Sequence, residues 1–260
     1  MEILTSRNNP GIKAAAVLKE SQERRKTGLF LLEGARLCAD AALNGVEITH
    51  FYVTENAADK YEKEFLLLKD TAAYSFYIDD SVAEKLSDTK NSQQFFAVCR
   101  QSMTETELSE DGMYVFADNV QNPDNLGAIV RTAEALGASG LIINSGCDIY
   151  SPKAQRAAMG ALLRFPVIRT DDGESFLRTL KNKNMKIYSS VADSAARRVT
   201  DVKEKGGTVL VIGNEGTGVS EKVLALSDYT VTIPMAGKAE SLNASAAAAI
   251  LIWEFMKDRI

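Results

Sequence analysis

The sequence predicts an α/β protein of two domains, and three features of the chain support this. Short apolar runs alternate with helical segments along all 260 residues. In the second half the runs are continuous, as in VLVI and LIIN, which is typical of parallel strands covered on both faces. A polar, acidic stretch without apolar periodicity, residues 101–112, separates the halves. We therefore expect a smaller α/β domain over 1–100, a linker over 101–112 and a parallel-sheet domain over 113–260.

The first half is predicted to open with one helix from Ser6 to Lys26, entered through Pro10. Strands and helices then alternate. The predicted strands are LFLLEG, ITHFYVT, YSFYI and QQFFAVCR, and the predicted helices are ARLCADAALNG, residues 57–69 and DDSVAEKLS. This order indicates a small layered α/β module.

The second half restarts with a strand and ends with a helix. The predicted strands are MYVFADNV, SGLIIN, RFPVIRT, MKIYSSV, TVLVIG and YTVTIP; the predicted helices are residues 126–136, KAQRAAMGALL, ESFLRTLKN, SEKVLALS and residues 244–256. Either Ser241 or Asn243 can cap the last helix, whose first N–H groups need an acceptor. Its alanine run followed by large apolar residues is suited to close packing against a flat surface.

Composition is that of an ordinary globular protein, with 45% hydrophobic and 25% charged residues. The formal net charge of -5 argues against a chain that is basic throughout, but not against a local basic face. Cys38, Cys99 and Cys147 form neither a metal-binding spacing nor a disulfide framework, which favours a reducing cytoplasm. We expect no signal peptide and no membrane span, because no apolar run reaches bilayer length. The single histidine, His50, lies on a predicted strand of the first half, so we expect no histidine-based triad and no metal site.

Basic side chains cluster in the first predicted helix, interspersed with glutamates. Such a run is most simply a solvated helix face, and its alternative is a local contact surface for phosphates. The candidates for phosphate contact are Arg7, Lys13, Arg24, Arg25 and Lys26.

Three polar loops follow strands in the second half, namely NVQNPDNLG, GNEGTGVS and PMAGKAESLN. Ligands of parallel sheets bind outside the carboxyl ends of the strands, so these loops are predicted to form one binding site. The second loop has neither the dinucleotide-binding nor the P-loop glycine spacing, and its glycines are also compatible with a simple turn. In the third loop, Glu240, Ser241 and Asn243 supply more polar groups than one helix cap requires.

Two other charged side chains in this half have alternative interpretations. Arg131 follows Asn125 by about one and a half helical turns and is either an ordinary surface residue or part of the site. Glu215 stands between glycines at a strand end, where a plain turn needs no carboxylate.

The segments NPDNLGAIVRTAEALG, VIGNEGTGVS and IPMAGKAESLNASAA resemble, in this order, the three motifs of the SpoU (TrmH-like) RNA methyltransferases of the SPOUT class. The segment SRNNPGIKAAAVLKESQERRKTGLFLLEGARL is similar to the N-terminal substrate domain of members that act on ribosomal RNA, a ribosomal-protein-like α/β module. One departure is visible, since Ala158 stands where the family usually has serine.

The resemblance implies methyl transfer from S-adenosylmethionine to a ribose 2′-hydroxyl by a homodimer with a trefoil knot. The positions matching the family's catalytic residues are Asn125, Arg131, Glu215, Ser241 and Asn243. Those implied to hold the cofactor are Gly213, Ile233, Met235, Gly237 and Leu242. Arg131 is expected to clamp the target ribose and its phosphate, and either Arg131 or Glu215 is the base.

The substrate implied by the N-terminal module is structured RNA, with 23S ribosomal RNA expected first. The alternatives are a transfer RNA methyltransferase and a non-catalytic RNA-binding or ribosome-assembly protein that keeps the fold. Intact candidate residues in all three motifs favour the enzyme.

Overall fold

A computed structural model describes residues 1–101 and 108–260, which form two compact units. Among the described residues, the first unit comprises 1–101 with Tyr150–Arg164, and the second comprises 108–149 with Phe165–Ile260. Half of the predicted linker 101–112, namely residues 102–107, lies outside the described residues. Residues 150–164 differ from the expected division, because they group with the first unit rather than with the parallel-sheet domain.

Contacts within the first unit explain why residues 150–164 belong to it. The ring of Tyr150 lies 4.6 Å from that of Phe30, between centroids. Arg156 donates a 2.7 Å hydrogen bond to the carboxylate of Asp88. Both partners come from the N-terminal half, so this segment completes the first unit by packing and by an ion pair.

The first unit is built on a five-stranded mixed sheet. Its elements in the first hundred residues are β1 (Glu2–Leu4), α1 (Pro10–Ala16), α2 (Ser21–Thr27), β2 (Leu29–Glu33), α3 (Ala35–Leu43), β3 (Ile48–Val53), α4 (Glu55–Lys60), α5 (Glu62–Thr71), β4 (Tyr74–Ile78), α6 (Asp80–Leu86) and β5 (Phe95–Arg100). The strand order is β1-β4-β3-β5-β2, in which β5 is antiparallel to β2 and β3. The predicted α/β module is confirmed, with β1 as an additional edge strand too short to show a pattern in the sequence.

Two predicted helices are each divided by one residue of extended or irregular backbone. The helix expected from Ser6 to Lys26 is broken at Glu20, whose ψ is 132°. The helix expected over 57–69 is two helices, because Tyr61 has φ −119° and ψ 49°. Helical periodicity continues across both breaks in the sequence, so the pattern alone does not reveal them.

The break at Glu20 also decides the role of Arg24, which was expected to contact RNA. Arg24 is only 2% exposed, and its Nη1 donates hydrogen bonds of 2.7 Å to the carbonyls of Leu18 and Lys19. These carbonyls end the short 3₁₀ turn before the break and would otherwise lack a helical partner. The prediction that Arg24 binds phosphate is therefore wrong, since its guanidinium is buried and occupied.

The second unit contains a parallel sheet, as predicted, and this sheet has seven strands. The elements of the second half of the chain are β6 (Met113–Asp118), α7 (Pro123–Ala135), β7 (Gly140–Asn144), α8 (Pro152–Ala158, in the first unit), β8 (Val167–Thr170), α9 (Gly173–Asn182), β9 (Lys186–Ser190), β10 (Arg197–Arg198), β11 (Thr208–Ile212), α10 (Glu221–Leu224), β12 (Tyr229–Thr232) and α11 (Ala244–Met256). The order is β10-β12-β9-β11-β6-β7-β8, and every pair is parallel.

Two details of this half differ from the expectation. The segment KAQRAAMGALL is helical only to Ala158, because Met159 and Gly160 both adopt left-handed backbone (φ 48° and 84°). The two-residue strand β10 was not predicted. The last helix has the expected bounds and packs against α7, β6 and β11, so the flat surface anticipated for it is a helix and the sheet.

The order of the strands locates the crevice of this sheet. From β6 the chain adds β7 and β8 on one side, then crosses to build β9, β11 and β12 on the other. Strand order therefore reverses between β6 and β11, and ligands of such sheets bind outside the carboxyl ends at this switch point. The trefoil knot concerns how the chain is threaded, which strand order does not define, and it stays a prediction.

No helix in the described part of the chain is long and apolar enough to cross a lipid bilayer.

Candidate active site

Glu215 joins two of the three predicted loops through its carboxylate. Its Oε1 accepts hydrogen bonds from the backbone N–H of Asn122 (3.0 Å) and from Nδ2 of Asn125 (2.9 Å). Its Oε2 accepts one from the backbone N–H of Gln121 (3.1 Å). The loop after β11 is thus held onto the loop between β6 and α7 at the switch point.

These donors also set the charge state of Glu215. Partial burial by itself raises the pKa of the carboxyl, but the hydrogen bonds from Asn125 and from the N–H groups of Gln121 and Asn122 outweigh it. The net pKa is lowered from its ordinary value, so Glu215 is ionised at neutral pH. A carboxylate with a lowered pKa and three N–H donors is a weak proton acceptor, which favours a structural task for it.

Asn125 extends this network to the third loop. Its side chain is buried, and its Oδ1 accepts a 3.0 Å hydrogen bond from Nδ2 of Asn243. The Oδ1 of Asn243 in turn caps α11, accepting from the N–H groups of Ser245 (2.9 Å) and Ala246 (3.3 Å). Asn243, rather than Ser241, is therefore the helix cap, and one chain of hydrogen bonds connects Glu215, Asn125 and Asn243.

A cleft of about 910 Å³ opens at the carboxyl ends of β9, β11 and β12. Such a volume is sufficient for a ligand of the size of a nucleoside derivative. Its walls combine apolar side chains with the backbone of the loops after these strands. Among the lining residues are Ser190, Val191, Arg198, Gly213, Glu215, Ile233, Met235, Ser241, Leu242 and Leu251.

Gly213 has no room for a side chain at the floor of this cleft. A Cβ at this position would lie 2.2 Å from the nitrogen of Val219 and 2.3 Å from the carbonyl carbon of Gly218. The loop doubles back here, with Asn214 and Gly218 forming an isolated β-bridge. Glycine is required because another segment of backbone passes this close.

The structure brings most of the predicted site residues together. Lining the cleft are Gly213, Glu215, Ile233, Met235, Ser241 and Leu242. Asn125 and Asn243 belong to the hydrogen-bond network that ends at Glu215. Arg131 is exposed on α7, and no hydrogen bond or ion pair connects it to the described residues. Gly237 is exposed in the third loop but is not among the residues that line the cleft.

A fourth loop, after β9, was not anticipated as part of the site. Ser190, Val191, Ala192 and Ser194 line the cleft, as does Arg198 of β10. The signal was present, since the polar segment ADSAARR follows a predicted strand and β9 lies between β11 and β12. Only the strand order places the end of β9 next to the other loops.

A metal site and a histidine in the cleft are both absent from the described residues. Within 1–101 and 108–260, no group of three histidine, cysteine or acidic side chains could hold a metal ion. His50 lies on β3 of the first unit, whereas the cleft belongs to the second.

The fold and the cleft define the class of this protein through its structural relatives. An rRNA methyltransferase from Sinorhizobium meliloti superimposes with a TM-score of 0.89 at 25% identity, covering 100% of this chain and 98% of that one. The SpoU methyltransferase AviRb from Streptomyces viridochromogenes, in complex with AdoMet, gives a TM-score of 0.86 at 28% identity and covers 97% and 98%. The chain therefore has the architecture of an RNA methyltransferase of the SPOUT type.

Family models narrow the class further. Residues 112–253 match the SpoU rRNA Methylase family, and residues 9–97 match the MRM3-like substrate binding domain. The 23S rRNA (guanosine(2553)-2′-O)-methyltransferase RlmP of Bacillus subtilis is 30% identical over 97% of this chain and 98% of its own length. The chain belongs to the SpoU rRNA methylase family.

Proposed function

We propose that this chain transfers a methyl group from S-adenosylmethionine to a ribose 2′-hydroxyl of 23S ribosomal RNA. The observation that carries the proposal is the network of Glu215, Asn125 and Asn243 at the switch point, beside a cleft. Three loops far apart in sequence meet there in one hydrogen-bonded arrangement. A protein that only binds RNA has no need for a cleft of this size next to such a network.

The N-terminal unit favours ribosomal RNA over transfer RNA. It matches a substrate binding domain over residues 9–97, and full-length similarity extends to an enzyme named for 23S rRNA. A cytoplasmic location is part of the proposal, because Cys38, Cys99 and Cys147 are free thiols, in keeping with a reducing compartment.

The cleft suits the cofactor by the chemistry of its walls. Ile233, Leu242 and Leu251 offer apolar surface for a purine, and the loop backbone offers donors and acceptors for its edge. When bound, S-adenosylmethionine supplies a methyl group on a sulfonium, which needs an aligned nucleophile and little covalent help. The chain's own contribution is therefore positioning, which can account for much of the acceleration.

The first prediction tests the cleft without RNA. The isolated chain should bind S-adenosylhomocysteine with 1:1 stoichiometry in calorimetry. Leu242→Glu should weaken this binding by about tenfold or more, because it places a carboxylate where an apolar wall meets the ligand. Leu242 is partly exposed, so the variant should fold as the wild type does. Absence of binding by the folded wild-type chain at concentrations well above micromolar would sink the enzyme proposal.

Within the site we assign different tasks to the two candidates for the base. Glu215 holds the loops, because its carboxylate is ionised and occupied by three donors. Arg131 clamps the target ribose and phosphate, since its guanidinium is exposed one and a half turns beyond Asn125. An arginine retains its proton throughout the physiological range, so its main contribution is a planar fork of donors.

A homodimer is part of the proposal because α11 presents an apolar face that none of the described residues covers. Ala246, Ile250 and Trp253 are exposed at helical spacing, with Trp253 49% exposed and Ile250 41%. The neighbouring helix α7 adds exposed Ala135 and carries Arg131. A second copy burying this face would place Arg131 at the edge of the interface.

Trp253→Glu should therefore convert a dimer into a monomer at micromolar concentration. The change introduces a charge into the centre of the apolar face, where it has no partner. Sedimentation equilibrium measures the outcome, with Leu43→Glu, an equally drastic change on the exposed side of α3, as the matched control. A monomeric wild type, or a Trp253→Glu variant that remains dimeric, would contradict this interface.

For the first unit we propose that Arg7, Lys13, Arg25 and Lys26 contact phosphates, since all four are exposed. Exposed ion pairs with Glu84 and Glu23 engage Arg7 and Lys26 and are readily exchanged for phosphate contacts.

Arg25 and Arg24 form a matched pair for testing this role. Arg25→Glu should weaken RNA binding and flatten its salt dependence while leaving the melting temperature near wild type. Arg24→Glu should instead lower the melting temperature, because it removes two buried hydrogen bonds and buries a carboxylate. Filter binding over a salt series and thermal unfolding separate the two effects. Unchanged affinity and salt slope for Arg25→Glu would mean that this helix is only a solvated face.

A further inference from the structure

A row of aromatic rings ends at the surface of the first unit. The ring of His50 lies 5.4 Å from that of Tyr74, 6.0 Å from Tyr52 and 6.4 Å from Phe76, between centroids. Tyr52 is buried, Phe76 is partly buried, and Tyr74 is 61% exposed. The row therefore leads from the core to a large aromatic residue that is mostly exposed to solvent.

A β-bulge brings His50 into this row. Ile48 pairs with Cys99, but His50 pairs with Val98, so Thr49 is an extra residue in β3. Residues two apart in a regular strand point to the same face, whereas the bulge lets Ile48 be buried while His50 joins the rings of β4. Bulges of this kind redirect one side chain, and here the redirected side chain is the only histidine of the protein.

Hydrogen bonding determines which nitrogen of His50 carries the proton. Oγ1 of Thr49 donates its single hydrogen to the carbonyl of Val98 at 3.1 Å, so it accepts from Nδ1–H of His50, also at 3.1 Å. Partial burial lowers the pKa of His50, which keeps the ring neutral at physiological pH. Nε2 is then an acceptor, and no hydrogen bond to it comes from the described residues.

Exposed basic side chains lie at the same end of the sheet, toward β2. The strands β2, β3 and β4 begin there and β5 ends there. Helix α2 ends at Thr27, two residues before β2 begins, so exposed Arg25 and Lys26 lie at this end of the sheet near β2, which β3 and β5 separate from β4. The acidic Glu47 at this end of the sheet forms an ion pair with Arg100, with 2.8 Å between Oε2 and Nε. A surface that carries an exposed ring and, a few strands away, basic side chains can stack a base and contact the backbone of the same unpaired strand.

We propose that Tyr74 and His50 form a stacking site for an unpaired base of the RNA substrate, with Nε2 of His50 accepting a hydrogen bond from that base. The site rests on the proposed function in that RNA is its ligand. Every base has a π-face and an N–H donor, so the site favours single-stranded over paired RNA without selecting one base. It gives the first unit a means of holding an unpaired segment while the second unit acts on a ribose.

The test uses the full chain and a single-stranded RNA in which 2-aminopurine is flanked by uridines. Binding to wild type should quench 2-aminopurine fluorescence, because the base stacks on Tyr74. Tyr74→Ala should lose the quench and weaken binding by about tenfold, the effect of removing one stacked base. Tyr74→Phe should retain both. Leu66→Ala, which removes an exposed aliphatic side chain from the same unit, should also retain both.

The possible results separate this inference from the proposed function. Wild-type quench and affinity in Tyr74→Ala would overturn the stacking site, as would equal weakening for a fully paired duplex of the same RNA. Calorimetry with S-adenosylhomocysteine on the same preparations judges the enzyme separately, since Tyr74 and the cleft belong to different units. A Tyr74→Ala chain that no longer quenches 2-aminopurine fluorescence but still binds S-adenosylhomocysteine would support the inference.

Discussion

Arg131→Ala is expected to lower the rate of methyl transfer by about a hundredfold or more while leaving the fold intact. A misplaced nucleophile costs activity on this scale, because alignment supplies much of the acceleration. The side chain is exposed and has no partner among the described residues, so its removal should change the free energy of unfolding by under about 0.5 kcal/mol. Single-turnover methyl transfer on substrate RNA measures the effect on the rate. The melting temperature and the affinity for S-adenosylhomocysteine are measured on the same variants as controls.

Arg131→Lys distinguishes a clamp from a simple positive charge. Lysine offers one compact ammonium, which cannot hold two oxygens in the plane of a guanidinium, so the rate should stay low. Arg178→Ala is the matched control, since Arg178 is an exposed helical arginine of the same unit, in an ion pair with Glu174. A lysine variant near wild-type rate would reduce the role of Arg131 to charge, and an alanine variant near that rate would remove it from the site.

Glu215→Gln is expected to lower the rate of methyl transfer by a similar factor, but for a different reason. Glutamine keeps one acceptor oxygen but turns an NH₂ group toward backbone N–H donors of Gln121 or Asn122, which then lack an acceptor. The three loops should separate, and the methyl-transfer rate should fall by about a hundredfold, again the cost of misplaced reacting groups. Glu221→Gln, an exposed neighbour six residues further along, removes the same charge and should leave the rate unchanged. Near-normal rate in Glu215→Gln would mean that the hydrogen-bond network is not needed for the reaction.

The pH dependence of the melting temperature gives a second test with wild type and Glu215→Gln. The pKa of Glu215 is lowered in the folded state, so its contribution to stability is fully present above the unfolded-state pKa and is lost as the pH falls through the folded-state pKa. The melting temperature of wild type should therefore exceed that of Glu215→Gln at pH 7, and the difference should close below the ordinary range of a glutamate carboxyl. If the carboxylate were instead the catalytic base with a raised pKa, the wild-type rate would fall as the pH drops from 7 to 5.

The three loops of the second unit could be found from sequence because their local signals are strong. A polar residue with glycine directly after a continuous apolar strand indicates a strand-end loop, and the three segments carry family motifs. These signals indicate Asn125, Glu215 and Asn243 as site residues. Their hydrogen bonds were not predictable, because the partners lie 90 and 118 residues apart along the chain.

The sequence by itself determined the α/β class, the parallel sheet of the second unit and the family, since these depend on periodicity and on local motifs. Tertiary structure alone decided that Arg24 is a buried donor while its neighbour Arg25 is exposed, although both belong to one basic run. It also decided that residues 150–164 complete the first unit, and that the bulge at Thr49 turns His50 toward Tyr74. In each case the physical reason is the same. The surroundings of a residue depend on which distant backbone and side-chain groups the fold brings into contact or into register with it, and no local pattern records that.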